Sequence, residues 1–107
     1  MKLLLFVSPG CPHCPDAERV AKKISPEYYH NGLAYKKIRT RTSEGKELSK
    51  NYNIRGVPTI ILADDEGNEL KRIVGAPSEN VLRSEIEKHL GLRKSLFKKI
   101  RKICLGS

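Results

Sequence analysis

The sequence lacks what marks a secreted mini-protein, a membrane protein or a structural metal module. It has three cysteines in 107 residues, and an odd count does not describe a disulfide framework. A chain of this length forms one domain that buries a core without staples, so its cysteines need not be structural. Long apolar runs are missing too. Leu3 to Val7, which follows Lys2, spans five residues. A secretory signal needs about 7–15 apolar residues and a membrane span roughly 20. The expectation is a cytoplasmic monomer, and in that compartment a Cys-x-x-Cys pair is catalytic or metal-binding rather than a staple. A second pair of metal ligands is lacking: His30, His89 and Cys104 are scattered singly, whereas a structural zinc takes four ligands. Neither a metal nor another cofactor is expected.

Acidic residues are absent from residues 92–107, which carry Arg93, Lys94, Lys98, Lys99, Arg101 and Lys102. These supply +6 of the net charge of +9, and the preceding 91 residues supply +3. The chain therefore divides into a domain at 1–91 and a basic tail at 92–107. Leu92, Leu96, Ile100 and Ile103 recur at helical spacing in the tail, with Phe97 and Cys104 beside them, which predicts a basic amphipathic helix. Two readings stand: an extra helix packed on the domain, or docking to an anionic membrane surface or an acidic partner. Nucleic acid is not expected, because Phe97 is the tail's single aromatic and offers no stacking platform.

The elements that are present alternate in type. Lys2–Ser8 reads as a buried strand closed by Pro9-Gly10. A helix is predicted from about Pro12 to Ser25, because Ala17, Val20, Ala21 and Ile24 fall at i, i+3, i+4 and i+7. Pro12 suits the first helical position, while Pro15 would crowd the Cys11 carbonyl and distort the first turn. Leu33–Thr40 reads as a strand and Thr42–Tyr52 as a short helix. Thr59–Ala63 is apolar and β-branched, as a strand covered on both faces would be. Asp64–Asn68 is a turn, and Glu69–Val74 returns as a more polar edge strand. Gly75-Ala76-Pro77 breaks it, and Ser78 caps a helix from Glu79 to Leu90 with Leu82, Ile86 and Leu90 on one face. The order β-α-β-α-β-β-α implies a parallel pair joined by a right-handed crossover and a closing antiparallel hairpin. An α/β fold follows, a four-stranded mixed sheet with helices on both faces.

Cys11-Pro12-His13-Cys14 sits where a strand hands over to a helix. The amide groups and dipole of a helix start favour an anion, and the thiolate is the nucleophilic form of cysteine. Cys11 is the expected nucleophile and Cys14 the resolving thiol that closes a disulfide. Pro12 and His13 modulate the pair: a protonated His13 would depress the Cys11 pKa further and make the disulfide more oxidising. This is dithiol–disulfide exchange. A metal- or thiol-binding module without turnover and a tail-driven adaptor are the alternatives.

Ser8-Pro9-Gly10-Cys11-Pro12-His13-Cys14-Pro15, then Val57-Pro58-Thr59 and Val74-Gly75-Ala76-Pro77, resemble the thioredoxin superfamily, in particular its small archaeal-type thioredoxin/glutaredoxin-like group. The resemblance covers about residues 2–90. It implies a cis peptide before Pro58, with Val57 and Pro58 facing the dithiol and holding an extended client by strand addition. It also implies that Gly75 and Ala76 line the groove beside the pair. Its implied partners are disulfide-containing client proteins and a thioredoxin-reductase-like electron donor. The departures inform as well. The extra strand and helix that open full thioredoxins are missing, and Gly10 stands where they place a tryptophan. Leu5 stands where they bury an aspartate beneath the pair, so protons must reach Cys14 through water or another group. Gly75-Ala76-Pro77-Ser78 lacks the acidic residue of glutathione-using relatives. Reduction of protein disulfides is therefore favoured over glutathione-dependent chemistry.

Overall fold

A computed structural model describes residues 1–91; the predicted tail helix at 92–107 and Cys104 lie outside the described residues. Strand β1 (Lys2–Val7) leads to α1 (Cys14–Ile24) and a 3₁₀ segment (Ser25–Asn31). Strand β2 (Ala34–Arg39), α2 (Ser43–Asn51), β3 (Thr59–Ala63), β4 (Glu69–Val74) and α3 (Glu79–Leu90) follow. The sheet order is β2-β1-β3-β4. β1 runs parallel to β2, while β3 is antiparallel to both β1 and β4. Among the described residues no helix is long and apolar enough to cross a membrane.

The strand period of two sorts β1 onto two cores. Leu3, Leu5 and Val7 join Ile60 and Leu62 beneath Ala17, Val20, Ala21 and Ile24 of α1 and Leu82 and Ile86 of α3. Leu4 and Phe6 join Ile38, Ile61 and Ala63 on the other face, where Leu48 of α2, Tyr52 and Ile54 cover them. Helices thus flank both faces, and β1 and β3 are buried because neither lies at an edge. Ser78 and Thr42 cap their helices as Ser/Thr N-caps do, accepting from the Val81 and Gly45 amides at 3.2 and 2.9 Å.

One expected boundary is corrected. α1 begins at Cys14, with His13 as its N-cap and Pro15 inside its first turn. Pro12 therefore precedes the helix, and Pro15 sits where a missing N–H costs nothing, so the clash with the Cys11 carbonyl does not arise. At the other end, Pro26 falls in the first turn of a 3₁₀ segment that periodicity did not signal. A proline there cannot donate into the α-helical ladder.

Gly45 lets α2 dock on the end of β2. A Cβ at this position would lie 1.8 Å from the Arg39 carbonyl oxygen, which is backbone and cannot swing aside. Gly45→Ala is expected to destabilise the domain by about 1–3 kcal/mol, read as a lower urea midpoint at unchanged m-value. A midpoint equal to the parent's would refute this close approach.

Candidate active site

The ends of four strands converge at one edge of the sheet. Val7 ends β1 beside Arg39 of β2, and Thr59 opens β3 between Phe6 of β1 and Val74 of β4. The turn after Val7 carries Gly10 at φ +78°, a left-handed conformation that glycine adopts without strain. This turn delivers Cys11 to the start of α1.

Cys11 and Cys14 are joined in a disulfide, with their Cα atoms 5.4 Å apart. Cys14 is the first residue of α1 and is only 6% exposed, whereas Cys11 is half-buried at the rim. The bond holds the Cys11 sulfur beside the N-terminal end of α1, where orphan amide groups and the dipole favour negative charge. Pro12 and His13 are exposed, and the His13 side chain makes no capping hydrogen bond.

The expected neighbours Val57 and Pro58, which precede β3, and Gly75 and Ala76, which follow β4, lie at the end of the sheet where β1 ends. The Val57–Pro58 peptide is cis. Cys11, Val57 and Ala76 all pack against the core cluster that contains Cys14. The Gly75 amide donates to the Pro58 carbonyl at 2.9 Å, which ties the β4–α3 loop to the proline loop. Ala76 and Pro77 line a groove with Asp16, Arg19 and Val20 of α1 and the start of α3. One bracing residue escaped the sequence reading. Thr59 is 2% exposed, and its Oγ1 donates to the Gly56 carbonyl at 2.8 Å, closing the proline loop on itself. A threonine following Val-Pro was the available signal, since its hydroxyl readily reaches a nearby backbone carbonyl.

Leu5 is fully buried in the cluster that contains Cys14. The carboxylate one helical turn along α1 from Cys14 is Glu18, and it is engaged elsewhere. Lys22 and Lys37 both lie 3.0 Å from it and hold it below the ordinary carboxylate range, chiefly through their hydrogen bonds. A carboxylate so stabilised is a poor base. Among the described residues, no group of three His, Cys, Asp or Glu could hold a metal ion.

Comparison with known proteins agrees with this geometry. The thioredoxin-like domain family matches over residues 2–90. A probable thioredoxin of Archaeoglobus fulgidus is 37% identical over 87 residues, covering 81% of this chain and 87% of that protein. A thioredoxin of Methanocaldococcus jannaschii is 33% identical over 90 residues, covering 84% and 96%. The structure of thioredoxin 1 from Thermosipho africanus superposes with a TM-score of 0.70 at 23% identity, over 86% of this chain and 97% of that one. At that identity the likeness shows the fold.

Proposed function

This chain belongs to the thioredoxin-like family and is a thiol–disulfide oxidoreductase, and from that premise we propose which residues carry the exchange. The Cys11 thiolate attacks one sulfur of a client disulfide. A Cys11–client bond forms, the client S–S bond breaks, and the expelled client thiolate takes a proton from solvent. Cys14 then gives up its proton and attacks the Cys11 sulfur, closing the Cys11–Cys14 disulfide and releasing the second client thiolate, which is protonated in turn. Two electrons and two protons pass to the client. A thioredoxin-reductase-like donor returns them to the oxidised pair, which suits a reducing cytoplasm.

Val57 and Pro58 hold the client in an extended form by strand addition, with Gly75 and Ala76 flanking the groove. Pro12 and His13 tune the pair from the turn between the two sulfurs. With Leu5 beneath and Glu18 committed to two lysines, the Cys14 proton leaves to water. The observation that carries this reading is the pairing of a half-buried Cys11 with a buried Cys14 at the start of α1, packed with Val57 and Ala76 on one core.

Cys14→Ser tests it. Mixed with insulin, the reduced variant is expected to stop at a one-to-one mixed disulfide on Cys11, seen by intact mass and released by dithiothreitol. If no adduct forms while Cys11 still alkylates, Cys11 is not the attacking sulfur.

A further inference from the structure

The four loops at the dithiol end of the sheet are residues 8–13, 40–42, 55–58 and 75–78. They contain His13, Arg41 and Arg55 and no carboxylate, and Arg39 ends β2 at the same edge beside Val7. The β3–β4 turn at the opposite end holds Asp64, Asp65 and Glu66, of which only Asp65 forms an ion pair among the described residues, with the Met1 amine at 2.8 Å. The carboxylates adjoining these loops, Asp16, Glu44 and Glu79, are each paired, with Arg19, Lys36 and Lys23 respectively. Among the described residues, the charge without an ion-pair partner is therefore arginine at the dithiol end and carboxylate at the far turn.

The pairing of the arginines sharpens this contrast. Arg19 meets Asp16 at 2.7 Å, Arg72 meets Glu69 at 3.0 Å, and Arg83 meets Glu27 at 2.8 Å. Arg39, Arg41 and Arg55 are exposed and meet no carboxylate among the described residues. All three belong to the dithiol end. A guanidinium stays charged at any working pH, and its planar fork matches a carboxylate in a bidentate pair. Three such forks without internal partners around a client-binding edge leave that edge electrostatically complementary to an acidic chain.

We propose that this end recognises disulfide-bearing client segments flanked by aspartate or glutamate, so that Arg39, Arg41 and Arg55 set client specificity. The proposal rests on the reading that clients lie along Val57–Pro58 with their disulfide at Cys11. An extended segment of six residues spans roughly 20 Å, which places flanking carboxylates beyond the attacked sulfur on either side. Each exposed pair contributes a small factor. Three acting on encounter as well as on binding give a preference on the order of tenfold at low ionic strength.

Two synthetic peptides with the same internal disulfide, one flanked by glutamates and one by lysines, provide the test. Each kcat/KM is expressed relative to that for the uncharged bis(2-hydroxyethyl) disulfide with the same protein. The full chain is expected to prefer the glutamate peptide by about tenfold at low ionic strength, and the preference should shrink as salt rises. The triple variant R39Q/R41Q/R55Q is expected to lose it. Equal relative rates with the parent protein, or a preference surviving in the triple variant, would overturn the proposal; survival would locate the attraction elsewhere on the chain. Failure to reduce any of the three disulfides would instead remove the Cys11–Cys14 cycle on which the proposal rests.

Discussion

Cys11→Ser is expected to lower kcat/KM for disulfide reduction by at least about a thousandfold, because a serine hydroxyl does not displace a sulfur and no second group can take over. Cys14 cannot substitute, since it is 6% exposed and lies beneath the rim that Cys11 occupies. The fold should persist, as Cys11 is only half-buried and the serine retains its Cβ. Initial rates of insulin reduction, with far-ultraviolet dichroism as the control for folding, read both halves of this expectation. A well-folded variant retaining a tenth of the parent rate would acquit Cys11. The parent protein should behave in a matching way on alkylation. The helix start at Cys14 favours the thiolate beside it. The iodoacetamide rate of the reduced protein should therefore level off at a pH below the ordinary thiol value of about 8.5. A plateau at or above that value would mean that the dipole does not act on Cys11.

Leu5→Asp is the substitution expected to damage stability most. Leu5 is fully buried between Lys37 of β2 and Ile60 of β3 in the sheet register, in a cluster that is almost wholly aliphatic around it. The change removes a large apolar side chain and leaves a carboxyl group without a designed partner. Together these should cost about 4 kcal/mol or more. That is a large part of the roughly 5–15 kcal/mol available to a domain of ordinary stability. Burial opposes ionisation, so the loss should be larger at neutral pH than at about pH 3, below the unfolded aspartate value of about 3.9, where the introduced carboxyl is protonated in both the folded and unfolded states. Urea midpoints at the two pH values measure this. An aspartate tolerated at full stability would show a hidden polar site beneath Cys14. This chain fills the position with apolar packing.

Much of the fold was legible locally. β3, β4 and α3 fall within the limits that alternation, turn residues and the Ser78 cap indicate, because each signal acts over a few neighbouring residues. The start of α1 was not legible in the same way. Two prolines, Pro12 and Pro15, each satisfy the preference for an early helical position, and periodicity from Ala17 onward does not choose between them. The core contacts of Cys14 decide it by drawing the first turn in at that residue. The 3₁₀ segment was also silent, since Tyr28 is buried in the first core by contacts that include the sequence-distant α3.

From composition and order alone came the two-sided sheet and a thiol pair poised for exchange, because handover from strand to helix and the spacing of two sulfurs are properties of contiguous residues. Assembly around the pair came from elsewhere. The antiparallel docking of β3 on β1 carries Val57 and Pro58 to the end of the sheet where β1 leads into the Cys11 turn, and β4 brings Gly75 within hydrogen-bond reach of the Pro58 carbonyl. The gathering of Arg39, Arg41 and Arg55 at one edge likewise follows from strand direction, since parallel β1 and β2 end together where β3 begins. Pairing between distant strands is set by how their faces bury against helices, and no short window of sequence contains that information.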